Sequence, residues 1–429
     1  MGERGVGEGG MSEASKSAAK GAAHGGRPHT RRWADQRWLV DNVIQANGID
    51  WDQPRSVYLN APCGPEANAD FAALRAQVKK FADAAPAFEA AARRRQAKAE
   101  AAEAEGRPVT ARENYFIAAI LWGGAQWPID EADETNHRYN KAKRDCYRAY
   151  ARLADHRVEE VFVPFGDKVL PAWFHLPPGY TGGKLPTVIS IPGMDSFKEG
   201  VVSMYGDRFL SRGMAVLALD GPGQYEAPLM DVFFSMENWI ATGPAAVDWL
   251  AARPEVDADR IALAGRSFGS FFGTIATAHE PRIRACAVSA TCHEPGCETL
   301  FQEASPTFKQ RFMFMCGMTD EAEFDRFRQS ISWKGHAEKI AVPYLCMAGE
   351  FDELSPIEHT RALLAALGGP KQLLVYQGSR HSVGGPAAAN GPHPQGYMAD
   401  WIAARLDGQP MTSEEWFVEA SGKVVKSPL

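Results

Sequence analysis

Ser267 stands in Gly265-Arg266-Ser267-Phe268-Gly269, directly after the apolar run "RIALAG" and directly before "FGSFFGTIATAHE". A serine hydroxyl is weakly nucleophilic at neutral pH, so chemistry at Ser267 requires a base to take its proton and a carboxylate to orient that base. Where Gly-x-Ser-x-Gly joins a strand to a helix, the glycines permit a turn that a Cβ would crowd, and the hydroxyl is pushed out at the strand's carboxyl end. In such sites the partners follow in the order carboxylate, then histidine. Asp352 in "YLCMAGEFDELSP" and His381 in "LLVYQGSRHSVGG" meet that order, each just after a predicted strand. Both then lie at the sheet edge where open α/β sheets bind ligands. Glu350 and Glu353 compete with Asp352, but Asp352 fits the loop apex and Glu353 begins the turn into Ser355-Pro356. His359 falls on the amphipathic helix "EHTRALLAALGG" and His393 in the loop "NGPHPQG", which leaves His381 as the base.

A tetrahedral intermediate needs two backbone N–H groups aimed at its oxyanion. Phe268, the residue after the serine, supplies one. The second is assigned to Met194, because "VISIPGMDSFKEG" ends a strand at Pro192-Gly193 and Gly193 permits the turn. Glu199, in the same loop, and Asp220, which opens "DGPGQYE", either orient a polar or cationic substrate or cap helices. Aromatic residues at 115, 116, 122 and 127, and at 301, 308, 312, 314 and 333, either roof an apolar pocket or belong to ordinary core.

These residues need a scaffold, and the sequence indicates one. From Arg31 to about residue 156 the texture is helical: "ADFAALRAQVKKFADA" and "AFEAAARRRQAKAEAAEAEG" are separated by Pro86, and Thr110 with Glu113 has capping-box spacing at the head of "TARENYFIAAILWGG". From 157 to 406 short apolar runs bounded by Pro and Gly alternate with helical patterns, which predicts a mostly parallel, doubly wound sheet covered by helices on both faces. A helical, aromatic-rich insertion interrupts that alternation at about 292–339. Residues 1–30, rich in Gly, Ala, Ser and Lys, are expected to form a disordered tail, with Met11 an alternative start to Met1. Residues 407–429 are polar and expected to wrap the surface.

Composition excludes several functions. A net charge of −7 is spread over both signs without a basic stripe, which argues against nucleic-acid binding. No apolar run reaches the roughly 20 residues of a membrane span and the N-terminus has no signal-peptide centre, so a cytoplasmic protein is expected. Seven scattered cysteines read as reduced thiols. "CHEPGC", with Cys292, His293 and Cys297, lacks a second ligand pair, so no metal site is expected.

The segments "IPGMDSFKEG", "LALDGPGQYE", "GRSFGS", "AGEFDELSP" and "GSRHS", in that order, resemble the α/β-hydrolases with an N-terminal helical cap domain. That group is typified by 2,6-dihydroxypseudooxynicotine hydrolase, the fungal yellowish-green pigment polyketide-shortening hydrolases and the fermentation-respiration-switch esterase-like proteins. The resemblance spans roughly Arg112 to Leu406. It implies an α/β-hydrolase fold, Ser267, Asp352 and His381 as the triad, Met194 and Phe268 as oxyanion donors, Glu199 as a substrate contact and a homodimer. Where the group is expected to read "DGPGQGE", Tyr225 stands instead, a bulky residue that would alter the pocket or its wall.

The expected function is therefore that of a serine hydrolase acting on a small-molecule substrate without metal or organic cofactor. It would cleave a carboxylic ester or an activated ketone C–C bond in an aromatic or polyketide-like compound. The alternative from another class is a catalytically silent hydrolase fold used as a binding or regulatory partner.

Overall fold

A parallel sheet whose strands alternate their side chains between two faces must be covered on both, and residues of adjacent strands here sort accordingly. Ile189, Leu263, Val288 and Leu373 face one core, while Val188, Ala262, Ala287 and Leu374 face another. The computed structural model describes residues 1–2 and 30–429; Met11 and most of the expected N-terminal tail lie outside the described residues.

The ten-stranded sheet runs in the order β1-β2-β4-β3-β5-β6-β7-β8-β9-β10. Its strands are β1 (Val158–Phe165), β2 (Lys168–His175), β3 (Leu185–Ile191), β4 (Ala215–Leu219), β5 (Val256–Ser267), β6 (Ile283–Thr291), β7 (Tyr344–Gly349), β8 (Lys371–Tyr376), β9 (Glu414–Val418) and β10 (Val424–Pro428). β2 pairs antiparallel with both β1 and β4, and the run β4-β3-β5-β6-β7-β8 is parallel throughout. The carboxyl ends of β3, β5, β7 and β8 therefore open on one edge, which carries the loops of Met194, Ser267, Asp352 and His381.

Among the described residues, six helices precede the sheet: α1 (Arg31–Asn47), α2 (Arg55–Asn60), α3 (Asn68–Gln77), α4 (Ala84–Ala104), α5 (Pro108–Gln126) and α6 (Glu134–Leu153). They form the expected helical cap. Helix α5 is almost wholly buried, and its core runs on into the sheet through Trp173, Val216 and Ala218. The cap is thus continuous with the catalytic layer and buries apolar area against it. Helices α7 (Met236–Ala251), α8 (Phe268–Ala278) and α11 (Ile357–Ala366) share a core on one face, and α12 (Pro386–Asn390) with α13 (Pro394–Leu406) pack on the other. The insertion supplies α9 (Pro306–Met315) and α10 (Glu321–Phe327).

Three details differ from the sequence expectation. Helix α5 starts at Pro108, not at a Thr110 cap, because proline fits the first turn, where its missing N–H has no partner to lose. The segment from Ala69 breaks after Gln77, since the Asp83 carboxylate takes the N–H groups of Lys79 and Lys80 and that of Asp41 takes Phe81 N–H. Pro86 consequently lies in the first turn of α4. Finally, residues 407–429 do not merely wrap the surface: β9 adds in parallel to β8, and β10 closes on β9 as an antiparallel hairpin. The unpaired backbone groups of β8 favour this addition, with Phe417 packing on one core and Trp416 and Val418 on the other. The segment reads as polar because its outer strand is largely exposed.

Truncation after Leu406 is accordingly expected to lower the thermal midpoint and expose β8 as a sticky edge. Thermal unfolding and light scattering check this; an unchanged midpoint with no aggregation would show the hairpin to be dispensable.

Candidate active site

Ser267 closes β5 and begins α8 with φ 55° and ψ −129°, a left-handed conformation that a non-glycine residue adopts only when its surroundings impose it. The surroundings are glycines in close approach. A Cβ on Gly265 would lie 2.2 Å from Gly269 O, and one on Gly269 would lie 2.3 Å from Ile191 O. The elbow is wedged between the end of β3 and the start of α8.

The structure brings the three sequence-predicted side chains together. Ser267 Oγ lies 2.9 Å from His381 Nε2, and His381 Nδ1 lies 3.0 and 3.1 Å from the two oxygens of Asp352. Asp352 Oδ1 also accepts from the N–H groups of Leu354 (3.0 Å) and Ser355 (3.1 Å), which hold the carboxylate in place. Burial acts to lower the His381 pKa, but the Asp352 carboxylate outweighs it, so the imidazole is raised well above its ordinary value. The competing residues do other work. Glu353 accepts His381 N–H at 2.9 Å, Glu350 accepts Gly378 N–H at 2.8 Å, and His359 faces Glu294 at 3.7 Å. His393 lies on the cavity wall as the residue before α13.

Met194 and Phe268 both line the cavity at Ser267. A Cβ on Gly193 would stand 2.8 Å from Ser267 Cβ, so the loop after β3 passes directly beside the serine. Among the described residues neither Met194 N–H nor Phe268 N–H has a protein acceptor. The segment "DGPGQYE" pins this loop, a role the sequence reading missed. Gln224 Nε2 donates to Pro192 O at 2.6 Å and Gly193 O at 3.3 Å. Asp220 accepts Lys198 N–H at 2.8 Å, and Tyr225 donates its hydroxyl to Asp195 O at 3.2 Å. From the cap, Arg55 pairs with Asp195 at 3.2 Å and with Asp52 at 2.5 Å while stacking over Trp127.

Glu199, Asp220 and Tyr225, expected near the substrate, are fully or nearly fully buried and do not line the cavity. Glu199 accepts from Trp173 Nε1 at 2.9 Å and pairs with Lys198 at 2.9 Å and Lys143 of α6 at 3.5 Å. Lys198 also reaches Asp220 (3.3 Å) and Glu226 (2.5 Å), and Arg144 meets Glu226 at 2.8 Å. Burial would raise Glu199, but Lys143 and Lys198 bring it down to about 2; burial pushes Asp220 up to about 6 against the pull of Lys198. These buried charges join the cap to the sheet edge instead of facing a ligand. Lys198 is the sequence neighbour of Glu199, whereas Lys143, Arg144 and Trp173 come from distant segments and leave no mark beside these acidic residues.

The cavity itself measures about 1100 Å³ and is walled by α2, the β5–α8 elbow, the loops after β3 and β8, and the start of α13. Of the aromatic residues considered as a roof, Phe308 lines it; Phe314 is buried beneath Arg311, and the others lie in the cores. Among the described residues no group of three or more metal-ligating side chains occurs, and no helix is long and apolar enough to cross a membrane. Of "CHEPGC", Cys292 stands 3.9 Å from Ser267 Oγ and His293 is buried against Thr360.

Comparison with known proteins bears on the fold and class. Residues 242–409 match the prolyl oligopeptidase family and residues 135–295 the X-Pro dipeptidyl-peptidase (S15) family. The chain is 30% identical over 217 residues to the alpha/beta hydrolase xenA of Xenoacremonium sinensis, covering 47% of this chain and 49% of that one. It is 34% identical over 171 residues to the hydrolase ORFZ of Pyricularia oryzae, covering 38% and 40%. The chain thus spans about half the length of the curated relatives it matches. Among solved structures, 2,6-dihydroxy-pseudo-oxynicotine hydrolase superposes with a TM-score of 0.71 at 23% identity, over 84% of this chain and 97% of that one. AbyA5 superposes at 0.62 with 15% identity, over 83% and 94%. The sheet, elbow and cap define an α/β-hydrolase fold of the serine-hydrolase type. Within that class the chain shares its architecture with 2,6-dihydroxy-pseudo-oxynicotine hydrolase, a fold the sequence resemblance implied.

Removing one member of the buried charge cluster leaves its partner uncompensated. Glu199→Ala is expected to destabilise the fold by about 3–5 kcal/mol, read as a lower midpoint in thermal unfolding; an unchanged midpoint would show that this cluster does not hold the cap to the sheet.

Proposed function

We propose that the chain is a serine hydrolase that cleaves a carbonyl-adjacent bond, in a carboxylic ester or an activated ketone, through an acyl-enzyme. The observation that carries this is the contact chain Ser267 Oγ to His381 Nε2 (2.9 Å) and His381 Nδ1 to Asp352 (3.0 Å). His381 takes the Ser267 proton as the oxygen attacks the substrate carbonyl, and Asp352 orients the imidazole and stabilises its charge. The Met194 and Phe268 N–H groups receive the oxyanion. Collapse expels the leaving group, which takes the proton from His381, and water then enters by the same route to release the acid. Serine, imidazole, carboxylate and amide supply every proton and charge in these steps, so the reading calls for no metal or organic cofactor.

The bond cleaved depends on the leaving group. An ester expels an alkoxide, whereas a C–C bond must expel a carbanion stabilised as an enolate or an electron-rich ring. The solved relative named for 2,6-dihydroxy-pseudo-oxynicotine supports an aromatic or polyketide-like small molecule. We further read the protein as cytoplasmic and homodimeric. A panel of p-nitrophenyl esters and aryl 1,3-diketones compared by kcat/KM distinguishes the chemistries; turnover of esters alone would sink the C–C reading.

Ser267→Ala is expected to lower kcat by roughly 10⁶ and to abolish labelling by a fluorophosphonate. Absence of a Ser267 adduct on the wild-type protein, under conditions that label a control esterase, would favour the silent, ligand-binding alternative.

The pH profile tests the relay separately. His381 acts as base only when neutral, so kcat/KM rises with pH through its pKa, which lies above the ordinary imidazole value of 6.5. Asp352→Asn removes the stabilising charge, so the acid limb should move to lower pH while the plateau falls by roughly 10⁴. An acid limb that stays in place would exclude Asp352 as the partner.

A further inference from the structure

The Met194 N–H belongs to the same planar peptide unit as the Gly193 C=O, and in a trans unit the two point in opposite directions. Whatever holds the Gly193 carbonyl therefore aims the Met194 N–H. Two donors hold it: Gln224 Nε2 at 3.3 Å, and Ser196 N–H at 3.4 Å within the turn. Gln224 is fully buried and its amide has one orientation, because Oε1 accepts Gly221 N–H at 2.9 Å while Nε2 faces the carbonyls of Pro192 and Gly193. The next residue grips the other side of Met194. The Tyr225 hydroxyl donates to Asp195 O at 3.2 Å, and the cap ties the Asp195 carboxylate through Arg55 at 3.2 Å and Trp127 Nε1 at 3.3 Å.

Tyr225 makes that grip from a strained backbone. Its φ is 33°, in the left-handed region that glycine enters freely and that is an outlier for a bulky side chain. Successive side chains on extended backbone point to opposite sides. The left-handed residue breaks that alternation, and Gln224 and Tyr225 converge on one loop, on either side of Met194. The Tyr225 ring is nearly fully buried and packs on Phe197 with centroids 4.8 Å apart. Lys143 Nζ of α6 lies 5.3 Å from its centroid and Arg311 Cζ of α9 lies 4.9 Å from it. Cap and insertion thus hold the strained residue in place. Strain of this kind collects where function needs a fixed geometry. Neither Gln224 nor Tyr225 lines the cavity, so any effect on the reaction passes through the loop they grip. We propose that Gln224 and Tyr225 are positioning residues that aim the Met194 N–H at the oxyanion, which extends the oxyanion site to the segment after β4.

This inference rests on the serine-hydrolase reading, and the experiment separates the two. Tyr225→Phe removes only a hydroxyl and Gln224→Met replaces the amide with an apolar chain of similar length. On the best substrate of the ester and diketone panel, kcat is expected to fall roughly threefold to tenfold for Tyr225→Phe and roughly tenfold to a hundredfold for Gln224→Met, with KM changed by less than about twofold. The acid limb of kcat/KM should keep its place, because the bonds of His381 and Asp352 involve neither side chain. The specific readout is inhibition by an alkyl trifluoromethyl ketone compared with the matching secondary alcohol. Ser267 Oγ adds to the ketone carbon, its proton passes to His381, and the carbonyl π pair becomes an oxyanion; the alcohol cannot add. Both variants should weaken the ketone by about the factor lost in kcat and leave the alcohol unchanged. An unchanged kcat, or equal weakening of ketone and alcohol, would overturn the proposal. Should Gln224→Met fail to fold, Tyr225→Phe decides alone. Fluorophosphonate labelling of the wild type distinguishes the two failures. A Ser267 adduct with unchanged ketone inhibition in the variants removes the positioning role and keeps the hydrolase, whereas absence of the adduct removes the hydrolase and the positioning role with it.

Discussion

The site depends on one backbone constraint, the positive φ at Ser267. A serine held there costs about 1–3 kcal/mol relative to relaxed backbone, so the conformation persists only because neighbouring segments leave no other. Gly265, Gly269 and Gly193 let those segments approach to distances that a single Cβ would prohibit. The same packing that strains the serine brings the β3 loop beside it. One close-packed knot therefore sets both the direction of the hydroxyl and the position of the Met194 N–H.

Around that knot, charge and hydrogen bonding divide the labour. Asp352 is turned toward His381 by two backbone N–H groups, and Glu353 holds the backbone of His381 itself. Gln224, Asp220 and Tyr225 secure the Met194 loop from the β4 side, while Arg55 secures it from the cap. The buried cluster of Lys143, Lys198, Glu199, Asp220 and Glu226 links these elements. Its members are expensive to desolvate singly, so they act as a register device between cap and sheet. Cap and Met194 loop are consequently parts of one assembly, and displacement of α2 would be felt at Met194.

Much of this was legible in the chain because its signals are local. Strand-turn-helix around Ser267 and the ordered arrival of Asp352 and His381 after later strands rest on short-range patterns, and the parallel sheet rests on their alternation. Signals that depend on partners far along the chain were misread. Glu199 and Asp220 stayed open between substrate contact and a structural role, because the buried contacts to Lys143 and between the two loops are made only in space. Tyr225 looked like a change in the pocket wall, whereas its hydroxyl is spent on Asp195 O. The terminal hairpin looked like surface wrapping because an edge strand carries little hydrophobic pattern, and its pairing is decided by the free edge of β8.

By itself, the sequence determined that Ser267, Asp352 and His381 arrive in order at strand ends and which class of sheet carries them, because glycine geometry and hydrophobic period act within a few residues. Only the tertiary structure decided which carboxylates are spent in the interior and how the cap is tied to the Met194 loop. Desolvation and pairing are settled by what surrounds a side chain in space, and around Glu199 those surroundings are Lys143 of α6, Trp173 of β2 and Lys198 of its own loop.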